Sequence, residues 1–108
     1  MPYSTIAQIK EWLPGITGSG FDSELAGIQS DINREIDRKL ALVTELPVTD
    51  SAIRGELAKF EARLSALRFQ IRRAGGQERP QILEMIDKEW KEFDEFTVNR
   101  YGYGVVIG

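Results

Sequence analysis

The feature that most constrains this chain is a run of apolar residues spaced alternately by four and three: Ile53, Leu57, Phe60, Leu64, Leu67 and Ile71. A period near 3.5 puts all six on one side of an α-helix and on neither face of a strand. A second run, Leu25, Ile28, Ile32, Ile36 and Leu40, recurs every three or four residues. Two long amphipathic helices need partners to cover their apolar stripes, so the expected fold is all-α.

Punctuation divides the rest. Thr5 and Gln8 have capping-box spacing, which predicts a short helix over 5–13 with Ile6, Ile9 and Leu13 as its stripe, Trp12 beside it, and Pro14-Gly15 as its stop. The second helix starts near Asp22 or Ser23, either of which can N-cap, with Phe21 placed for a hydrophobic staple. It fades around Leu42–Thr44, and Pro47 enforces a break. The third helix runs from Thr49 or Asp50 to about Ala74, where Gly75-Gly76 stops it and Arg72 and Arg73 suit its dipole. A fourth begins at Pro80, carries Ile82, Leu83, Met85, Ile86, Trp90 and Phe93, and ends near Val98–Arg100. Glu35 to Lys39, Glu84 to Lys88 and Asp87 to Lys91 read as i, i+4 pairs on exposed faces. The expectation is a four-helix bundle-like domain, residues 1–100, in which the second and third helices are longest and central.

Residues 101–108 differ in kind. Tyr101, Gly102, Tyr103, Gly104, Val105, Val106, Ile107 and Gly108 carry no charged side chain, and glycine and β-branched residues are poor helix formers. The segment reads as an extended C-terminal tail. Three fates fit it: a frayed terminus, docking on its own domain, or strand addition to a partner. Its apolar ending makes prolonged exposure an aggregation hazard.

Composition removes most chemistry. With 108 residues the chain is one domain that can bury a core without staples. It has no cysteine and no histidine, which excludes a disulfide scaffold, Cys/His zinc sites, thiol catalysis and an imidazole base. No apolar run reaches a membrane span, and the N-terminus lacks the features of a secretion signal, so a soluble protein made in the cytoplasm is expected. The glycine-rich stretch 14–21 lacks the lysine that closes a phosphate loop and reads as a turn. The carboxylate clusters Asp31/Glu35 and Glu84/Asp87 with Glu92/Glu95 each have a basic residue within a turn, which suits salt pairs better than a metal. No catalytic residue, metal ligand or cofactor site is expected, and the chain does not read as an enzyme. Trp12, Trp90, Phe60 and Phe93 are expected in the core.

Charge is uneven. Residues 1–49, 50–75 and 76–108 carry net −3, +3 and −3, for −3 overall. That balance argues against tight phosphate-driven binding of nucleic acid. The alternation suits helices, or protomers, that attract one another. Arg68, Arg72 and Arg73 are therefore candidate inter-subunit contacts.

The order of elements resembles a known family. A short helix opens with Tyr3-Ser4-Thr5, a glycine/aspartate loop follows, and the next helix carries Ile28-x-x-Asp31-Ile32-x-x-x-Ile36-Asp37-x-x-Leu40. A proline-bounded link, a longer helix, another helix and a tail complete it. This is similar to the head–tail connector proteins of tailed bacteriophages, also called adaptor or head-completion proteins. In many of them a hairpin or longer loop joins the second and third helices; here the link is only about Val43–Thr49. The resemblance implies a structural virion protein in the neck, commonly a ring of twelve copies under the portal protein. Such a ring extends the DNA channel, through which DNA passes without specific binding, and it docks a stopper or tail-completion protein. It implies that 101–108 reach the portal, and it brings no catalytic residue, cofactor or membrane contact. The alternative is a helical interaction module, a regulator or chaperone, that binds a partner through the 53–71 seam.

Overall fold

The structure is a computed structural model that describes residues 2–102. It is all-helical over that range, with four helices: α1 (Ile6–Lys10), α2 (Asp22–Leu40), α3 (Ser51–Arg73) and α4 (Arg79–Tyr101).

The capping box of α1 forms as the spacing predicts. Thr5 Oγ1 accepts from the Gln8 N–H at 3.1 Å, and Gln8 Oε1 accepts from the Thr5 N–H at 2.8 Å. The α-helix ends at Lys10, short of the expected Leu13. The chain from there tightens into i, i+3 bonds, Trp12 N–H to Ile9 O and Leu13 N–H to Lys10 O. Pro14 is the cause: it disfavours helical backbone at the residue before it. Ile9 and Leu13 are buried all the same.

The 14–21 stretch is a turn held by an amine. Lys10 Nζ donates to the Gly18 carbonyl at 2.6 Å and lies 2.6 Å from Asp22 Oδ1. Gly18 takes a positive φ of 75°, open to glycine without strain. Phe21, not Asp22 or Ser23, occupies the N-cap of α2 and makes no side-chain cap bond. The expected staple is replaced by a longer reach: the Phe21 ring meets Phe69 of α3 edge-on at 5.4 Å. Asp22 and Glu24 still sit in the first turn, where the helix dipole favours them.

All five stripe residues of α2 are buried. Asp50 N-caps α3, its side chain accepting from the Ile53 N–H at 3.0 Å. Helix α3 is the hub, packed against α1, α2 and α4. Burial therefore extends beyond its seam to Ala58, Glu61, Ala62, Ser65, Ala66 and Phe69. Three alanines at 58, 62 and 66 leave room for neighbouring helices to approach closely. Within the seam, Leu57, Leu64, Leu67 and Ile71 are buried and Ile53 and Phe60 half-buried. The seam is interior to the domain, which corrects the expectation that it could be a face awaiting a partner helix.

Helix α4 equals α3 at 23 residues, so the second and third helices are not the longest pair. It packs on α3 through Phe93, fully buried, whose ring meets Phe60 and Trp90 edge-on, each at 5.6 Å. The helix ends one residue past the expected Val98–Arg100, at Tyr101, which packs against the core. Gly102 caps it in the left-handed region, φ 79°, and its N–H donates to Val98 O. Tyr101 and Gly102 thus belong to the helix and its cap. The remaining tail residues, Tyr103, Gly104, Val105, Val106, Ile107 and Gly108, lie outside the described residues.

Candidate partner-binding surface

The structure ties the predicted arginines to carboxylates of α2. Arg73 makes a two-pronged contact with Glu24, Nη1 to Oε2 and Nη2 to Oε1, both 2.8 Å. Its guanidinium lies 3.9 Å from the Phe69 ring centroid and 4.8 Å from that of Phe21. Arg72 lies 3.7 Å from Glu24, and Arg68 lies 3.4 Å from Glu35. The alternation of charge along the chain is therefore met between helices of one molecule. The Arg73 hydrogen bonds hold the Glu24 carboxyl below its ordinary range, and Glu24 in turn raises Arg73. Arg79, not Arg72 or Arg73, reaches a terminal carbonyl of α3, donating to Ile71 O at 2.8 Å.

The expected local pair Glu35–Lys39 is also replaced by tertiary ones, whereas Glu84 with Lys88 and Asp87 with Lys91 form no ion pair. Glu35 faces Arg68 and not Lys39, while Lys39 lies 3.5 Å from Asp94 of α4 and over the Trp90 ring.

The periodicity gave no sign of a polar hub inside the bundle. Glu61 of α3 is fully buried. Its Oε1 accepts from the Tyr3 N–H at 3.0 Å, the Ser4 N–H at 2.8 Å and the Ser4 hydroxyl at 2.5 Å; its Oε2 accepts from the Asn33 amide at 2.9 Å. Gln29 adds a bond from its amide to Ser4 O at 2.7 Å. Tyr3 donates its phenol to Asp37 and lies under the Arg54 guanidinium. Burial, and then the Asp37 hydrogen bond, push the Tyr3 phenol well above its ordinary value. Together these contacts strap residues 3–4 across α2 and α3. One sequence signal was available: Gln29, Asn33 and Asp37 recur every fourth residue beside the apolar stripe of α2.

An apolar groove opens where the α1–α2 turn approaches the α3–α4 hairpin. It encloses about 660 Å³. Leu13, Pro14 and Ile16 form one wall, Phe69 and Gln70 of α3 the floor, and Ile82 and Met85 of α4 the other wall. A smaller hollow that shares Gln70 and Met85 continues it toward Trp12 and Arg63. Trp12 is not core: 44% of it is exposed, with the Arg63 guanidinium 4.7 Å from its ring centroid. The physical reason is the early end of α1. Ile9 and Leu13 hold the inward face and leave Trp12 at its edge. Arg63 Nε lies 2.8 Å from Glu89 Oε1. Burial raises the Glu89 carboxyl above its ordinary value, Arg63 pulls it back in part, and Glu92 adds to the rise. Leu83 and Met85, expected on the apolar side of α4, are 48% and 41% exposed, because α4 packs mainly on α3 and touches α2 through Lys39.

The chain matches no family model, no curated protein and no solved structure. Among the described residues, no three metal-ligating side chains gather where an ion could bind, and no helix is long and apolar enough to cross a membrane.

Proposed function

We propose that this protein is a structural adaptor of the head–tail connector kind. It assembles as a ring beneath a viral portal, extends the DNA channel and offers a docking surface to a stopper or tail-completion protein. The observation that carries the reading is where the apolar surface lies. The heptad seam is used up inside the bundle, while an uncharged, β-branched stretch follows immediately after the Gly102 cap. A helical body with a separate apolar segment suits a part that is held in an assembly by that segment. In this reading the segment contacts the portal protein, and the net negative charge keeps DNA from sticking to the channel wall.

The test is affinity capture from a phage-infected host lysate, with full-length protein and a chain cut after Gly102. The cut preserves Tyr101, which packs on the core. Recovery of the portal by the full-length form alone is the expected result. Recovery of a non-capsid partner by both forms would end the phage reading. It would favour a helical interaction module, working through the groove, since the seam is covered.

A further inference from the structure

We propose that the apolar groove receives residues Tyr103–Ile107 of a second copy of this chain. The inference rests on the oligomeric part of the adaptor reading and not on the portal. Groove and segment match in chemistry. Leu13, Pro14, Ile16, Phe69, Ile82 and Met85 offer an apolar trough, and Val105, Val106 and Ile107 offer side chains whose removal from water is favourable. Gln70 and Gln81 also line the trough, and their neutral amides can pair with the peptide groups of an extended chain. The segment has no charged side chain, so it enters without desolvating one. Two charged residues also line the groove: Arg73, already engaged by Glu24, and Glu78, whose side chain is exposed to water.

Reach decides which copy supplies the segment. Met85 lies seventeen residues up α4 from Gly102, about 25 Å along the helix at ~1.5 Å per residue. Ile82 is farther, at about 30 Å by the same rise. Ile107 lies five residues beyond Gly102, and five extended residues span at most about 18 Å. The Val105–Ile107 stretch therefore cannot enter the groove of its own chain, and a neighbour's can. Each copy would offer one segment and one groove on opposite ends of α4. That is a heterologous contact, which closes into a ring or continues as a filament. Portal binding then becomes an exchange of one receiver for another.

The absence of native cysteine makes the test clean. Full-length Met85→Cys is mixed with full-length Val106→Cys and oxidised mildly, without any portal present. Leu42→Cys replaces Met85→Cys in the control; Leu42 is 63% exposed and follows α2 at the end of the bundle away from the groove. Expected is a covalent mixed dimer from the Met85 pair only, lost when a synthetic 101–108 peptide is added in excess. The double variant Met85→Cys/Val106→Cys should give an intermolecular ladder. Equal yields from Met85 and Leu42, an intrachain product in the double variant, or no dimer from chains that melt like the parent would each overturn the proposal. Cross-linking that survives while portal capture fails removes only the adaptor reading. Portal capture without cross-linking removes only this one.

Discussion

The buried Glu61 hub makes the sharpest prediction. Its carboxylate accepts four hydrogen bonds, three of them from the strap at Tyr3 and Ser4. A hydrogen bond to a charged group nets about 1.5–3 kcal/mol. Four taken at full value would approach the ~5–15 kcal/mol of a whole domain, so simple addition overshoots. The strap can peel away and give its two backbone N–H groups to water, whereas Asn33 remains inside. On that reasoning Glu61→Ala should cost about 3–5 kcal/mol, the range for removing one member of a buried charged network. Glu61→Gln keeps an oxygen toward the strap but turns an NH₂ toward the Asn33 amide, and should cost about 1–3 kcal/mol. Urea unfolding followed by tryptophan fluorescence measures both, and hydrogen exchange at residues 3–9 should accelerate before global unfolding. A double-mutant cycle with Ser4→Ala should show a coupling of at least about 0.5 kcal/mol. If Glu61→Gln unfolds within about 0.5 kcal/mol of the parent, the carboxylate is not what holds the strap.

Other outcomes follow from the same geometry. Phe93→Ala removes a fully buried ring that meets Phe60 and Trp90, and should cost about 3–5 kcal/mol in chemical denaturation. Leu64→Lys places a charge in the core, and circular dichroism should show an unfolded chain, not a dissociated complex. Gly102→Ala forces a Cβ into positive φ, and should lower stability by about 1–2 kcal/mol with α4 otherwise intact. Two carboxylates should give opposite pH dependences. Glu89 is raised in the fold, so its contribution falls as pH climbs from the unfolded value through the folded one; Glu89→Gln should melt higher than the parent at neutral pH and match it in strong acid. Glu24 is lowered, so its contribution is present above the unfolded value and disappears as pH drops through the folded one; Glu24→Gln should melt lower at neutral pH, less so in high salt, and match the parent in strong acid.

Legibility of the candidate surfaces followed the range of the interactions involved. The capping box at Thr5 and Gln8 is local, and three residues of spacing suffice to specify it. The Glu35 to Lys39 pair is equally local in sequence, but each side chain finds a better-placed partner on another helix, Arg68 and Asp94. The groove and the Glu61 hub join residues far apart in the chain; periodicity says nothing about the groove and marks the hub only through the recurrence of Gln29, Asn33 and Asp37 on α2. Trp12 lies at the surface and not in the core because a stripe counts turns, and α1 runs out of turns at Lys10.

The sequence by itself determined that this chain is helical, where its helices start and stop within a few residues, and that α2 and α3 must bury their stripes. Spacing, caps and breakers act within a turn or two and are written directly in residue order. Only the tertiary structure decided that α3 is the centre, that its seam is covered from within, that the arginines answer the carboxylates of α2, and that an apolar groove stays open between Leu13 and Met85. Those outcomes depend on which helix faces meet, a choice set by packing volume and the pairing of buried polar groups across the whole chain.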